Sequence, residues 1–208
     1  MNLLDNFINE CDIALKTLSF KKSGTGRSYP VNKTPSCLSK EEKNLSAQLM
    51  RVNLAGEVAA QALYRGQAMV CKDAEIKNHL VQAGEEETDH LIWCKKRLEE
   101  LNGKPSILNP VWYAGSFAIG AIFGSFGEKT SLGFVEETEK QVVKHLEKHL
   151  DKVSKNDTET IEILKTMRAD EDEHAQEAIE NGSESLSEPT KKVMSFTAKV
   201  MTSSSAYI

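Results

Sequence analysis

The feature that most constrains this chain is the spacing Glu-x-x-His, which occurs at Glu87–His90 and again at Glu171–His174. On a helix, residues i and i+3 project from one face, so each pair can bind a single metal ion. Both pairs interrupt an apolar stripe at helical spacing, where a charge is costly unless it is paired or bound to metal. The two stripes are Ile76, Leu80, Ala83, Glu87, His90, Cys94, Leu98, Leu101 and Ile161, Leu164, Met167, Glu171, His174, Ala178.

Two further helical patterns each contribute one carboxylate. Glu57 is the lone acid on the stripe Met50, Leu54, Glu57, Ala60, Tyr64. The other pattern has three acids close together in the sequence. Heptad spacing places Glu139 on the apolar face of this helix, Glu136 at the edge of that face and Glu137 off it. Any one of these residues alone would be an ordinary solvated side chain. Four Glu and two His in two matched sets on four helices are the ligand set of ferritin-like dinuclear sites. Carboxylates and imidazoles without thiolates favour iron or manganese over structural zinc.

Periodicity predicts an all-α chain. Helices are expected over 3–18, about 40–70, 73–101, 129–153 and 158–181, and after Pro189 towards residue 205. Ser39 and Glu42 have capping-box spacing, and Asp157 is a plausible N-cap. Residues 1–39 are therefore interpreted as an amphipathic helix (Leu3, Phe7, Cys11, Ala14, Leu15 and Leu18 on one arc) and a linker. Residues 40–208 are interpreted as a ferritin-like four-helix bundle with an apolar crossover helix and amphipathic terminal helices.

The segment 105–127 contains no charged residue. It is about as long as a membrane span, but Asn109, Pro110, serines and glycines dilute it. Two interpretations stay open at this point. It is either a buried crossover helix, packed through the small-residue stripe Ser116, Gly120 and Gly124, or a surface that dips into lipid or accepts a lipid-like substrate.

The helix over 189–205 has a similar ambiguity. An apolar face opposite a row of lysines suits a membrane interface, although docking onto the bundle is the commoner fate of such a helix. The apolar residues are Val193, Phe196, Val200 and Met201, and the lysines are Lys191, Lys192 and Lys199.

Charge and cysteine content exclude several classes of protein. A net charge of −5 argues against binding nucleic acid. The four cysteines show no CxxC spacing, so neither disulfides nor a zinc knuckle are indicated, and a reducing cytosol is expected. Acids near the N-terminus do not fit a signal peptide. The chain also has no GxGxxG motif for a bound dinucleotide.

Five motifs in order resemble the bacterial form of the demethoxyubiquinone hydroxylase family, over about residue 40 to the C-terminus. They are MRVNLAGEVAAQALYRGQA (Met50–Ala68), EETDH (Glu86–His90), LNPVWY (Leu108–Tyr113), LGFVEETEKQVVKHLEKHL (Leu132–Leu150) and MRADEDEH (Met167–His174). The resemblance implies a ferritin-like fold with two non-haem iron ions. It also implies O2-dependent ring hydroxylation of a polyprenylated methoxy-methyl-benzoquinol (demethoxyubiquinol) in ubiquinone biosynthesis. The location implied is peripheral, on the cytoplasmic face of the inner membrane.

Carried over by motif, the implied iron ligands are Glu57, Glu87, His90, Glu139, Glu171 and His174, whose four glutamates are also expected to be catalytic. Glu87 and Glu171 would bridge the two irons. His145 matches a further family histidine near the site and is expected to be catalytic too. Leu54 departs from the family, where many relatives carry His.

Several points stay open in this comparison. Asp89 and Asp170 are candidate partners of the histidines, and Tyr64 is either a relay or plain core. The membrane surface is an expected partner, and a homo-oligomer and association with other ubiquinone-biosynthesis proteins are left open. The alternative function is a di-metal peroxide-scavenging or iron-handling ferritin-like protein, for which the uncharged segment has no use.

Overall fold

The computed structural model describes residues 3–31 and 37–208, with the side chains of Leu3, Leu4, Asn6 and Phe7 outside that description. The described residues form seven helices and no strand, which confirms the all-α prediction. The helices are α1 (Leu3–Leu18), α2 (Lys40–Val70), α3 (Ala74–Glu100), α4 (Asn109–Ser125), α5 (Glu128–Lys152), α6 (Thr158–Glu180) and α7 (Glu188–Ser205).

Local signals set where these helices begin. Ser39 and Glu42 form the predicted capping box at the start of α2. Asp73 and Asp157 accept hydrogen bonds from the first backbone N–H groups of α3 and α6. Each such cap satisfies donors that the helix itself leaves unpaired and contributes about 1 kcal/mol. The predicted boundaries consequently agree with the observed ones to within a few residues.

The bundle consists of two antiparallel pairs, α2 with α3 and α5 with α6. The direction of the first pair is fixed by contacts between Gln61 and Glu87 and between Tyr64 and Gly84. Helices α3 and α6 face each other across the interior, which places the Glu-x-x-His pairs opposite one another. Large, fully buried side chains fill the core around them: Met50, Leu54, Leu80, Leu91, Trp93, Leu98, Leu132, Leu146, Ile163, Leu164 and Met167.

Helix α4 lies along α2 and connects the two pairs. At Gly120 a Cβ atom would overlap the carbonyl oxygen of Leu63, and at Gly124 it would overlap Val70. The small-residue stripe therefore brings the two backbones together as predicted. The opposite face of α4 stays exposed and apolar, with Val111 and Ile122 on it. The packing interpretation of the uncharged segment is therefore confirmed for one face. Contact of the other face with lipid or a lipid-like substrate stays a prediction.

The two terminal helices bury only part of the apolar faces that their sequence patterns suggest. On α1, Ala14 and Leu18 are partly buried and pack against the core. Leu15 of α1 is 68% exposed although it belongs to the predicted arc; the Leu3 and Phe7 positions of that arc lie outside the described side chains. On α7, Val193 and Phe196 are exposed, and Ser205 is the buried residue. Helix α7 does dock onto the bundle, against α2 and α5. Met201 is partly buried, but Val193, Phe196 and Val200 stay exposed, so most of the apolar face does not take part in the docking.

Within the described part of the chain, no helix combines the length and hydropathy needed to cross a bilayer.

Candidate metal centre

Six ionisable side chains converge in the middle of the bundle, each at most 5% exposed. Helices α2 and α5 each supply one glutamate, Glu57 and Glu139. Helices α3 and α6 each supply a Glu-x-x-His pair, because three residues of helix bring both side chains to the same inward face. The set is Glu57, Glu87, His90, Glu139, Glu171 and His174.

The centre of the cluster has approximate two-fold symmetry. Nδ1 of His90 lies 3.1 Å from Oε2 of Glu87 and 3.1 Å from Oε1 of Glu171. Nδ1 of His174 lies 3.2 Å from Oε1 of Glu87 and 3.2 Å from Oε2 of Glu171. Each of the two glutamates therefore directs one oxygen to each imidazole. This is the arrangement expected of carboxylates that bridge two ions.

The two remaining carboxylates lie at opposite sides of this centre. Oε2 of Glu57 is 3.8 Å from Nδ1 of His90. Glu57, Glu87, His90 and Glu171 offer ligand atoms that all lie within 4.8 Å of one another. Oε1 of Glu139 accepts a hydrogen bond of 2.7 Å from the hydroxyl of Tyr64.

The other two acids of α5 make contacts away from the cluster. Glu136 binds Lys140 and Ser183. Glu137 accepts a hydrogen bond from Gln141 and lies near Lys191. The inward face of α5 thus carries Glu139, as the heptad spacing predicts.

Outside the centre, a second pair of carboxylates holds the histidine rings. Nε2 of His90 donates to Oδ2 of Asp170 at 2.8 Å, and Nε2 of His174 donates to Oε2 of Glu86 at 2.9 Å. The pairing crosses the bundle: the acid immediately before each central glutamate binds the histidine of the opposite helix. These bonds fix the rings so that Nδ1 points inward, as outer-shell carboxylates do at metal sites.

Burial makes the outer glutamates of the cluster hard to ionise. Burial and then the charge of Glu87 raise the pKa of Glu57 well above its usual range. Burial and then the charge of Glu171 have the same effect on the pKa of Glu139. Burial is also the main reason why the pKa of the Tyr64 hydroxyl is raised, with Glu139 next. The cluster holds more negative charge than its surroundings can stabilise.

The same surroundings favour the charged form of the imidazoles. Burial disfavours the charged form of His90, but the charge of Glu171 and the hydrogen bond to Asp170 outweigh it and raise the pKa of His90 well above 6.5. Burial likewise disfavours ionised Glu87, yet the contacts with His174 and His90 hold the pKa of Glu87 below its usual value. Positive charge is therefore favoured at the positions that metal ions would take.

The residues fit a pair of metal ions. Oε1 of Glu87 is buried, and its contact with Nδ1 of His174 at 3.2 Å does not have the geometry of a hydrogen bond, so a strong acceptor inside the core is available to a cation. Four carboxylates and two imidazole nitrogens are a donor set for iron or manganese. Buried charge of one sign at this density is costly without such a counter-charge.

Three predicted participants have other positions. Asp89 accepts hydrogen bonds from the backbone and hydroxyl of Thr25, so of the two candidate acids it is Asp170 that contacts a histidine. Tyr64 is buried but not plain core, because it donates to Glu139. His145 is six residues beyond Glu139, about 9 Å along α5, and its ring lies 4.0 Å from that of His149. Its catalytic role stays a prediction.

Sequence reasoning missed Glu86 and Arg27. Glu86 could have been found, because an acid precedes the Glu-x-x-His motif in both halves, as Glu86-Glu87 and Asp170-Glu171. Arg27 left no such signal, since its partner Asp170 is 143 residues away.

Comparison with known proteins shows the family to which the chain is related. The sequence model of a family described as "Ubiquinone biosynthesis protein COQ7" matches residues 44–205. A Legionella pneumophila protein named 3-demethoxyubiquinol 3-hydroxylase is 48% identical over 209 residues, covering 100% of this chain and 98% of the relative. Proteins of the same name are 48% identical in Francisella philomiragia (97% of this chain, 96% of the relative) and 46% identical in Nitrosococcus oceani (100% and 98%).

Among solved structures, the bacterioferritin-related protein of Bacteroides fragilis, described as a dodecameric thioferritin, aligns with a TM-score of 0.55. It is 22% identical and the alignment covers 67% of this chain and 84% of that one. This likeness supports the ferritin-like fold.

Proposed function

The chain belongs to the ubiquinone biosynthesis protein COQ7 family, and on that premise we propose how its buried cluster acts. The protein is an oxidoreductase that hydroxylates the ring of a demethoxyubiquinol in ubiquinone biosynthesis, with O2 as co-substrate. One observation carries the assignment of the site. In a chain about half identical to named hydroxylases from end to end, Glu87 and Glu171 each direct one oxygen to both inward imidazole nitrogens.

We propose that the cluster holds two iron ions. The residues that would hold them are Glu57 and His90 in one half of the cluster, Glu139 and His174 in the other, and Glu87 and Glu171, which both halves share. Ferrous iron, when bound, would supply the two electrons with which one oxygen atom of O2 enters the ring while the other, with two protons, leaves as water.

The surrounding residues of the chain orient this set. Asp170 and Glu86 hold the imidazole rings, and the hydroxyl of Tyr64 holds Glu139 through its hydrogen bond. Trp93, Cys94 and Met167 pack around the centre and keep water away from it. A dry, preoriented site strengthens every electrostatic contact made inside it.

A narrow cavity of about 10 Å³ leads to Glu139 between α2 and α5. Tyr64, Phe134 and Thr138 are among its lining residues. The ring of Phe134 stacks on Phe123 of α4, with centroids 4.1 Å apart. The cavity has room for about one water, so side chains must move before a quinol ring can enter. We propose that the ring enters here while its prenyl tail follows the apolar face of α4.

We further propose that the protein lies peripherally on the cytoplasmic face of the inner membrane, where a prenylated substrate partitions. Support comes from exposed apolar side chains on two helices, Val111, Ile122 and Phe126 near α4 and Val193, Phe196 and Val200 on α7. Exposed apolar patches of this kind mark lipid or partner contacts.

The decisive experiment is anaerobic loading of the purified protein with ferrous iron, followed by a reduced short-chain demethoxyubiquinol and ¹⁸O2. We expect a product with one ¹⁸O atom in its new hydroxyl group and about two irons per chain. Glu171→Ala should abolish iron binding and turnover. Glu137→Ala is the matched control on α5 and should retain both, because Glu137 points away from the cluster.

Other outcomes would change the assignment. Peroxide consumption without quinol hydroxylation would favour the alternative, a peroxide-scavenging or iron-handling protein. Equal losses in Glu171→Ala and Glu137→Ala would show that the proposed ligand set is wrong. For His145, His145→Gln should lower turnover at unchanged iron content if the predicted catalytic role holds.

A further inference from the structure

An extended segment before α2 lies against the outer side of the metal centre. Residues 24–29, which we name the strap, run parallel to α3. The backbone N–H of Thr25 donates to Asp89 at 3.2 Å, and the hydroxyl of Tyr29 donates to Glu100 at 3.1 Å. A Cβ atom at Gly24 would overlap the carboxylate of Asp89, so the chain passes directly against α3 there. The predicted linker is thus docked onto the bundle over part of its length.

Arg27 connects the strap to the centre through two routes. Its Nη1 and Nη2 donate to Oδ2 and Oδ1 of Asp170, at 2.7 and 3.0 Å. Its guanidinium carbon is also 5.0 Å from the ring centroid of Trp93. Both partners contact the same histidine: Asp170 accepts from Nε2 of His90, and the rings of Trp93 and His90 are 5.3 Å apart. Arg27 therefore fixes two of the groups that set the orientation of His90.

In the part of the chain that the structure describes, the other half of the centre has no equivalent of Arg27. Glu86, which holds His174, accepts its other hydrogen bond from the neutral amide of Gln82 at 3.1 Å. Among the described residues, no arginine or lysine forms an ion pair with Glu86. The four central groups Glu87, His90, Glu171 and His174 are thus arranged symmetrically. The charged groups that hold the two histidines from outside are not, because only Asp170 is bound by an arginine.

We infer that Arg27 is a positioning residue for the His90 half of the metal centre, and that the strap makes the two metal positions inequivalent. The inference rests on the proposed metal centre. A bidentate arginine fixes both the charge and the plane of a carboxylate. Without Arg27, the partly exposed Asp170 is free to turn towards solvent, and His90 loses the bond that aims Nδ1 at the cluster. Losing such an outer partner typically costs about 10- to 100-fold in metal affinity.

The test is titration of the metal-free, full-length protein with Co²⁺, followed by calorimetry and visible absorption. We expect the wild type to bind two ions. Arg27→Ala and Arg27→Gln should weaken one binding step about 10- to 100-fold and leave the other unchanged. Arg27→Lys, which keeps the charge but not the bidentate geometry, should give an intermediate loss. Because Arg27 is partly exposed, these variants are expected to fold, and the thermal unfolding of each metal-free variant checks this.

Double variants separate positioning from mere docking of the strap. Arg27→Ala should add nothing to the loss of Co²⁺ affinity caused by Asp170→Asn, because both variants remove the same contact. It should add fully to the loss caused by Glu86→Gln, because that variant weakens the binding step at the His174 half of the centre. Thr25→Ala is the matched control, since it loosens the strap at Asp89 without touching Asp170 or Trp93, and it should retain wild-type affinities.

Three results would overturn the inference. They are unchanged Co²⁺ binding in Arg27→Ala, additive losses with Asp170→Asn, or an equal loss in Thr25→Ala, which would assign the effect to docking alone. If the wild type bound no Co²⁺ at all, the metal centre itself would be refuted and the inference with it. If the wild type bound two Co²⁺ ions and Arg27→Ala bound both with the same affinities, the metal centre would be supported and the role of Arg27 would be refuted.

Discussion

Buried histidines occur in two environments that act on them in opposite ways. His90 and His174 face carboxylates on both ring nitrogens, which favours their charged forms. His145 and His149 lie one turn apart on α5 with lysines as neighbours. Burial first, and then Lys148 and Lys152, lower the pKa of His145 to about 4. Burial first, and then His145, lower the pKa of His149 to about 3. Residue type alone does not distinguish these environments, whereas the neighbours do.

The lowered pKa values of His145 and His149 predict that the folded protein loses stability in acid. Both folded-state pKa values lie below the unfolded value of about 6.5, so the unfolded chain binds more protons and stability falls as pH drops from about 6.5 towards 4. Each proton contributes about 1.4 kcal/mol per pH unit. His149→Leu should reduce this slope by about one proton, as measured by urea unfolding of the metal-free protein between pH 4.5 and 7.5. A slope identical to the wild type would contradict the assignment.

At the scale of the elements, the contact between α2 and α4 depends on backbone approach rather than on large side chains. Gly66 and Gly120 lie where a Cβ atom would overlap carbonyl oxygens of the facing helix, Phe117 and Leu63 respectively. Gly115 lies on the same helix α4 but has open space around it. Two of these three glycines lie in the interface. Glycine content alone therefore does not identify the interface, whereas the position of each glycine does.

This difference predicts opposite effects of the same substitution. Gly120→Ala should destabilise the protein by about 1–3 kcal/mol, because the added methyl group forces α4 away from α2. Gly115→Ala should stabilise it by up to about 1 kcal/mol, since alanine favours the helix and meets no neighbour. Chemical unfolding of the two variants measures both signs. Destabilisation of the same size in each would show that helix propensity, not contact, governs α4.

At the scale of the whole molecule, two helix pairs enclose the polar centre while the accessory helices carry exposed apolar groups. Trp112 of α4 donates to Ser205 of α7 at 3.0 Å, so the start of α4 and the end of α7 lie together. Helix α1 packs against α2 and α4. The exposed groups on α4 and α7 are therefore carried by connected elements, which supports the proposed membrane surface.

Vesicle flotation tests this surface. Phe196→Ser should lower partitioning onto anionic phospholipid vesicles about 10- to 100-fold, because burying one aromatic side chain is worth about 1.5–3 kcal/mol. Ile92→Ser is the control, since Ile92 is exposed on α3 among charged residues. Equal flotation of the two variants, or no flotation of the wild type, would refute a lipid role for α7.

Local sequence signals account for the helices and for the polar side chains on their inward faces. Capping at Ser39 and Asp157 is local, and the period of 3.6 residues places Glu87, His90 and Glu139 on inward faces whatever the partner helix is. Only the tertiary structure decided what meets across the bundle. The crossed bonds of Asp170 to His90 and of Glu86 to His174, the reach of Arg27 over the α3–α6 seam, and the outward face of α7 join residues far apart in the chain. Periodicity fixes the direction of a side chain from its own helix axis, but the identity of its neighbour depends on how the axes pack.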